Sequence, residues 1–290
     1  MHPLNESKNS TILPLLIALV LVCFGLLPGA QAVVPPPAVP YDFNNDAHSD
    51  YLLYNSSTRQ TAVWHLNNNV FVGGAYGPTL PVGWRVIDVA DFNRDGRQDY
   101  ALFNASTRQT AIWYLSGING VTLIASAWGP RLPNGWALVA TGDFNNDAKP
   151  DFVIFNATTR RTAFWYLNNN VFIGGTSGPT LPGGWSLVGT PDFGGYPGND
   201  LLLQARMSQT VIWYLDGTDV FAAASGPTIA TGYDLVGTSD FNRDGWPDYP
   251  DYLLFNPSTR QTVIWYLNFN FLVGTAFGPT LPAGWTVAAP

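Results

Sequence analysis

Residues 91–99 read Asp-Phe-Asn-Arg-Asp-Gly-Arg-Gln-Asp, and this aspartate-rich stretch has four further copies along the chain. The other copies begin at Asp42, Asp143, Asp192 and Asp240, so successive copies are 49, 52, 49 and 48 residues apart. A repeat of this length that holds several short strands is typical of solenoids, propellers and arrays. We therefore take the repeat as the basis for predicting both fold and chemistry.

Each repeat contains four predicted strands and no helix. In the second repeat, apolar runs with strand-forming residues cover residues 84–90, 100–103, 110–115 and 121–128, and turn residues separate them. No helical periodicity appears after residue 32. The third run recurs as TAVWHL, TAIWYL, TAFWYL and, twice, TVIWYL. Its apolar residues occupy both faces, which predicts a strand buried on both sides. We expect its tryptophans to lie in the core between blades.

The two ends of the chain predict a closed ring. In the interior repeats, each aspartate loop starts seven positions after a Gly-aromatic pair, as in Trp84 to Asp91. The first loop, at Asp42, has no such strand before it, and the last strand, which starts at Trp285, has no loop after it. Joining the ends restores the spacing, so the C-terminal strand should complete the N-terminal blade and protect its edge. The sequence predicts an all-β, five-bladed propeller of four-stranded blades.

The aspartate loops predict calcium sites. The pattern D-x-N-x-D-G-x-x-D supplies side-chain oxygens at positions 1, 3, 5 and 9, and hard oxygen ligands on a short loop suit Ca²⁺. Three carboxylates in one loop repel one another unless a cation lies between them. A solvated turn is the alternative, but four loops in register favour metal. The predicted ligands are Asp42, Asn44, Asp46, Asp50, Asp91, Asn93, Asp95, Asp99, Asp143, Asn145, Asp147, Asp151, Asp240, Asn242, Asp244 and Asp248.

The five loops are not equivalent. Two carry glycine at position 6, where a positive φ is easiest, whereas Ala47 and Ala148 stand there in the first and third loops. Those two sites are expected to be strained or weaker. The loop at residues 192–200 has lost two side-chain ligands and is expected to bind nothing. The last loop contains a three-residue insertion, so either Asp248 or Asp251 closes it. We therefore expect up to four calcium ions.

These loops resemble the FG-GAP/VCBS repeat family, whose members include the integrin α-subunit propeller. Four copies match the family's D-x-[DN]-x-D-[GA]-x-x-D loop, and a Gly-Pro pair follows the fourth strand at Gly77, Gly129, Gly178, Gly226 and Gly278. The resemblance covers the whole chain after the predicted signal, residues 33–290. It implies a calcium-stabilised propeller used in adhesion or ligand binding, and in bacteria such proteins are often secreted or attached to the cell surface. Family membership does not name a ligand.

The N-terminal 32 residues resemble a secretory signal. Lys8 lies in a polar start, residues 11–27 are mostly apolar, and Ala30-Gln31-Ala32 is a small-x-small cleavage site. A membrane anchor is the alternative, but the apolar stretch is short for a span and contains Pro14 and Gly25. We expect secretion with cleavage near Ala32, then a Pro-rich segment at residues 33–40 and one propeller domain at residues 41–290. We expect a monomer with no membrane span.

Composition argues against several function classes. The chain has a formal net charge of −7 and its arginines are scattered, which argues against nucleic-acid binding. After residue 32 it contains 19 Asp and no Glu, and 15 of those Asp lie in or beside the repeated loops. Few carboxylates therefore remain for the pair that a propeller glycosidase needs. No nucleophile–base constellation is apparent either.

We expect a binding module that recognises glycans or cell-surface ligands in adhesion, with protein–protein interaction or a structural surface role as alternatives.

The predicted ligand surface lies opposite the aspartate loops. Strand order places the Thr-Arg-Gln turns and the Gly-Pro connections on that rim, which collects arginines and variable aromatics. Aromatic rings stack on the CH faces of sugars, and arginine pairs with anionic groups. The alternative is that the arginines tie turns to backbone carbonyls and the aromatics fill gaps between blades. The candidate residues are Arg59, Arg108, Arg160, Arg260, Tyr76, Trp128 and Phe277.

Overall fold

Five antiparallel sheets of four strands each form a five-bladed β-propeller in the computed structural model. The structure describes residues 39–194, 198–206, 208–244 and 250–289. The predicted ligand Asp248 and the predicted signal segment lie outside these ranges. Blade 1 contains β1 (Tyr51–Asn55), β2 (Gln60–Asn67) and β3 (Val70–Thr79); blade 2 contains β4 (Trp84–Ala90), β5 (Asp99–Asn104), β6 (Gln109–Ser116) and β7 (Thr122–Arg131).

The remaining strands repeat this arrangement. Blade 3 contains β8 (Trp136–Gly142), β9 (Asp151–Asn156), β10 (Arg161–Asn168) and β11 (Val171–Thr180). Blade 4 contains β12 (Trp185–Gly189), β13 (Leu201–Ala205), β14 (Thr210–Asp216) and β15 (Asp219–Ser225). Blade 5 contains β16 (Asp234–Ser239), β17 (Asp251–Asn256), β18 (Gln261–Asn268) and β19 (Phe271–Thr280). The last strand is β20 (Trp285–Ala289). Among the described residues, no helix is long and apolar enough to cross a membrane.

The ring is closed by the C-terminal strand, as the sequence predicts. β20 pairs antiparallel with β1, with Asn55 opposite Trp285 and Leu53 opposite Val287. It therefore takes the innermost place in blade 1, which β4, β8, β12 and β16 take in the other blades. The inner strands of neighbouring blades contact one another in ring order, and β20 lies between β16 and β4.

The core consists of five apolar clusters, one between each pair of neighbouring blades. The cluster between blades 1 and 2, for example, joins Leu52 and Val63 to Tyr100 and Leu102, all of them buried. The aromatic residue at loop position 2 is fully buried in every blade, at Phe43, Phe92, Phe144, Phe193 and Phe241. The tryptophans of the third strand flank these clusters and are only half-buried, as Trp64 and Trp113 show. The inter-blade core is thus centred on the loop phenylalanines, and the tryptophans cover its margin.

The two rims of the ring carry different connections. The aspartate loops and the turns between the third and fourth strands of each blade share one edge, which we call the aspartate rim. The turns between the second and third strands, such as residues 58–60 and 107–109, share the other edge with the Gly-Pro connections. We call this second edge the TRQ rim.

Candidate functional site

Each aspartate loop is folded around its own carboxylates. In the second loop, Asp91 Oδ1 accepts a hydrogen bond from Asp95 N at 3.0 Å and Oδ2 accepts one from Gly96 N at 2.8 Å. Asn93 Oδ1 accepts from Asp95 N at 3.1 Å, and Asp95 Oδ1 accepts from Arg97 N at 2.9 Å. Such side-chain to backbone bonds are the reason that Asp and Asn favour tight turns.

The backbone at loop position 6 has the positive φ that the sequence predicts. Gly96 has φ 82°, but Ala47 and Ala148 adopt φ 68° and 60° at the same position. A Cβ atom in this left-handed region clashes with the backbone and costs about 1–2 kcal/mol. The first and third loops therefore carry local strain that the second loop avoids.

The aspartate at loop position 9 joins the loop to the blade. Both oxygens of Asp99 accept backbone N–H groups, from Phe92 at 3.1 Å and from Leu115 of β6 at 3.0 Å. We call this residue the latch aspartate. The same pair of bonds is made in every blade, and the latch aspartates are Asp50, Asp99, Asp151, Asp200 and Asp251.

The two irregular loops show what the latch does. The loop at residues 192–200 has Gly194 in place of the position-3 ligand, yet Asp200 still makes both latch bonds at 2.9 Å. In the last loop, which contains the insertion, Asp251 makes the latch bonds, to Phe241 N and Leu267 N. The latch is thus kept in a loop that lacks a predicted metal ligand and in a loop that contains an insertion, which indicates a role in holding the blade together.

Burial raises the pKa of every latch aspartate. The pKa is raised to about 8 at Asp50, about 7 at Asp99 and about 6 at Asp200, in each case mainly because the carboxyl is removed from water. The carboxylates of the same loop raise the pKa further, as Asp95 and Asp91 do for Asp99. A cation between these groups would relieve that repulsion.

The donor chemistry of the loops fits Ca²⁺. The first three loops each present two Asp carboxylates and an Asn carbonyl within one turn, and these are hard oxygen ligands. Among the described residues, however, no three acidic or histidine side chains converge as metal ligands would. Their oxygens accept backbone N–H groups instead, although each oxygen has a second lone pair. The calcium ligands named from the sequence remain predictions.

The candidate arginines all lie at turns of the TRQ rim, one in each of four blades. Arg59 Nε donates to Leu80 O at 3.1 Å, and Arg160 Nε donates to Leu181 O at 3.0 Å. Arg160 Nη2 also donates to Pro182 O and Trp185 O. These two guanidinium groups therefore tie turns to the Gly-Pro connections, as in the structural alternative. Arg108 and Arg260 occupy the same left-handed turn position, with φ 60° and 61°.

The candidate aromatics of the TRQ rim are exposed. The exposed fractions are 75% for Tyr76, 69% for Trp128 and 70% for Phe277, so none of them fills a gap between blades. They belong to blades 1, 2 and 5, which are neighbours in the ring, whereas blades 3 and 4 carry Ser177 and Ser225 at this position. The aromatic side chains therefore form an arc over three neighbouring blades.

Two members of this arc have an aromatic partner that the sequence did not suggest. The rings of Trp84 and Trp128 lie 5.8 Å apart with an interplanar angle of 42°, and Tyr76 lies 6.0 Å from Trp285. The partners are the first residues of inner strands, which sequence reasoning assigned only to the strand pattern. Beside the first pair lies a groove of about 490 Å³ lined by Trp84, Asn104, Thr107, Gln109, Trp128 and Arg131.

The family comparison agrees with this geometry. Residues 42–102 and 91–154 each match the model of the FG-GAP-like repeat. Residues 42–154 therefore carry FG-GAP-like repeats. These repeats and the propeller fold together suggest an interaction module, in agreement with the exposed arc of aromatic residues.

Solved structures that are similar to this propeller share little sequence with it. A protein of unknown function from Bacteroides caccae is 12% identical, with a TM-score of 0.40, and the match covers 78% of this chain and 72% of that one. The Tc holotoxin pore of Photorhabdus luminescens is 14% identical, with a TM-score of 0.39, over 84% of this chain and 12% of the toxin chain. No curated protein sequence matches this chain.

Proposed function

We propose that this FG-GAP propeller is a secreted, calcium-stabilised and non-catalytic module that binds carbohydrate on its TRQ rim. The observation that carries the proposal is the arc of exposed aromatic rings on blades 5, 1 and 2. Large aromatic side chains that are 69–75% exposed contribute little burial of apolar surface to folding, and exposed apolar patches often mark interaction sites. Rings of this kind offer flat apolar faces for the CH groups of pyranose sugars.

The backbone beneath the arc is held by neighbouring blades. Asn69 Nδ2 donates to Phe277 O at 2.9 Å, and Asn170 Nδ2 donates to Trp128 O at 2.9 Å. Fixing the main chain reduces the ordering cost of binding, because the rings are already positioned. Three sites on neighbouring blades also suit a repetitive ligand such as a polysaccharide, since linked weak contacts add avidity.

A non-catalytic role agrees with the positions of the carboxylates. The loop aspartates named from the sequence are the proposed calcium ligands, and the latch aspartates among them also hold backbone groups. Asp88, on the inner strand of blade 2, is buried and accepts hydrogen bonds from Tyr41 Oη, Val89 N and Thr141 N. It therefore serves the ring interior and is not exposed for catalysis.

A glycan array probed with the calcium-loaded protein tests the proposal. We expect binding to a subset of polysaccharides, and we expect it to be lost in the triple variant Tyr76→Ser, Trp128→Ser and Phe277→Ser. Serine is a tolerated replacement because blades 3 and 4 already carry it. Val72→Ser is the matched control, since Val72 is also 57% exposed but lies outside the arc. Undiminished binding by the triple variant, or hydrolysis of a bound glycan, would contradict the proposal.

Recognition of a protein by the outer strands is a second candidate function. Each outermost strand has one edge without a partner strand, and several expose apolar residues, such as Val70 and Phe71 in β3 and Phe271 in β19. Exposed apolar strand edges are typical sites of pairing with another chain. Under this alternative, Phe271→Lys removes binding to a cell-surface partner while the triple serine variant retains it.

A further inference from the structure

The TRQ rim has a charge opposite to that of the whole chain. Although the formal net charge is −7, Asp234 is the one carboxylate that the topology places on this rim among the described residues. The rim carries eight arginines, which are Arg59, Arg85, Arg108, Arg131, Arg160, Arg161, Arg206 and Arg260. The carboxylates are concentrated on the aspartate rim. The rim with the exposed aromatic rings is therefore the cationic side of the molecule, and an anionic ligand would be drawn to it.

Blade 2 differs from the other blades at two positions of this rim. Trp128 stands where the other blades have Tyr76, Ser177, Ser225 and Phe277, and Arg131 stands where they have Thr79, Thr180, Thr228 and Thr280. Both residues line the 490 Å³ groove. The groove is open to solvent, so it can receive one face of a polymer unit rather than enclose a whole ligand. The departures from the repeat thus meet in one concave place.

Arginine at position 131 changes the hydrogen bonding of the groove. In blades 1 and 5, the threonine hydroxyl donates to a glutamine oxygen, as Thr79 does to Gln60 at 3.1 Å and Thr280 does to Gln261 at 2.8 Å. Arg131 has no hydroxyl to offer to Gln109, and its Nε instead donates to Thr107 O at 3.0 Å. That bond uses one of the five guanidinium N–H donors. It fixes the guanidinium beside the groove and leaves the four Nη donors for a carboxylate or sulfate.

We propose that this groove binds one acidic sugar unit of a polysaccharide, with Trp128 stacking on the pyranose ring and Arg131 pairing with its carboxylate or sulfate. The inference rests on the carbohydrate function proposed above and adds the charge class of the ligand. At the groove wall, Asn104 Oδ1 already accepts backbone N–H groups and Gln109 Nε2 already donates to backbone carbonyls. Gln109 Oε1, which has no threonine hydroxyl to bond in this blade, is the acceptor that we assign to a sugar hydroxyl. The centroids of the Trp84 and Trp128 rings lie 5.8 Å apart, which leaves no slot for a sugar between them. Stacking therefore uses the exposed face of Trp128.

The test measures affinity for matched pairs of ligands by titration calorimetry on the calcium-loaded protein. One pair is a short galacturonate oligomer and its methyl ester, and the other is dextran sulfate and dextran. A single-stranded thymidine oligomer is added as a different anionic polymer. We expect the wild type to bind an acidic glycan at least about tenfold more tightly than its neutral partner, as one charge-assisted pair predicts.

Three variants assign the effect to residues, and each takes its new residue from another blade of this chain. Arg131→Thr should remove the preference for the acidic partner and leave neutral binding unchanged. Trp128→Ser should weaken the affinity for the acidic glycan and for its neutral partner by about fivefold to tenfold each. Arg161→Gln removes the same charge from the same rim outside the groove, because Gln60 and Gln261 stand at this position elsewhere; it should retain the preference. Unchanged melting temperatures confirm that the three variants fold.

The outcomes separate the two proposals. Binding of neutral glycans through Trp128 with no preference for acid overturns the acidic-sugar inference and leaves the carbohydrate function standing. If Arg131→Thr and Arg161→Gln lose the preference for acidic glycans equally, the inference is also overturned, because the preference then comes from the overall charge of the rim. Tighter binding of the thymidine oligomer than of either acidic glycan would replace the inferred ligand with nucleic acid. Failure to bind any glycan contradicts the proposed function itself.

Discussion

The latch aspartate of blade 2 allows a stability prediction that is independent of metal. Asp99 has no exposed surface, and its two oxygens satisfy the buried N–H groups of Phe92 and Leu115. Asparagine keeps one acceptor oxygen and turns an NH₂ group toward the other donor, whereas alanine removes both acceptors. An unsatisfied buried donor costs about 1–3 kcal/mol. We expect Asp99→Asn to lower the free energy of unfolding by about 1–3 kcal/mol and Asp99→Ala by about 2–6 kcal/mol.

Urea unfolding in excess EDTA measures these changes, because the chelator removes any contribution from bound calcium. Asp95→Asn is the control: it deletes the same charge in the same loop, but Asp95 is exposed. A surface change of this kind should stay within about 0.5 kcal/mol. The reasoning is refuted if Asp99→Asn is as stable as Asp95→Asn, or if the alanine variant is no less stable than the asparagine variant.

Three further predictions concern the ring and its loops. Deleting residues 284–290 exposes the inner edge of β1, so we expect differential scanning calorimetry to show a melting temperature lower by roughly 10 °C or more; an unchanged value would mean that β20 does not close the ring. Calcium should stabilise the protein by roughly 2.7 kcal/mol per site at a hundredfold excess over its Kd. Asp95→Ala and Asp244→Ala should each remove one equivalent of bound calcium. A melting temperature that EDTA does not change, together with no calcium by elemental analysis, would contradict the metal proposal. Ala47→Gly and Ala148→Gly should raise the free energy of unfolding by up to about 1 kcal/mol because they relieve a positive φ, whereas Gly96→Ala should lower it by about 1 kcal/mol. Urea unfolding measures these changes. If all three substitutions shift the urea midpoint in the same direction and by the same amount, φ at loop position 6 does not determine stability.

The architecture could be predicted from sequence because the repeat encodes it locally. The spacing from Trp84 to Asp91 recurs in every interior repeat, and restoring it across the chain ends correctly assigns β20 to blade 1. The glycine at position 6 likewise predicts a left-handed turn, which Gly96 and Ala47 both adopt. Such features depend on a few neighbouring residues, so a sequence pattern is enough to predict them.

Features that depend on several blades could not be predicted in this way. The recurring Asp-Phe pair was available as a pattern, but it does not show that Phe92 rather than Trp113 is the fully buried side chain between blades. Sequence also left open whether Asp248 or Asp251 closes the last loop, and the structure shows Asp251 in the latch position. The groove beside Trp128 unites residues from all four strands of its blade or their ends, and only the folded sheet brings them together.

The closure of the ring through β20 has a consequence for the order of folding. Leu53 pairs with Val287, so blade 1 lacks its innermost strand until residues 285–289 have been synthesised. The other four blades are each made of consecutive strands and can form from local contacts as they emerge. Long-range pairing is slow because the loop must be closed before the contact is gained. Completion of blade 1 is therefore the expected last and slowest step, and until then β1 presents an open edge on which chaperones or other copies of the chain can act.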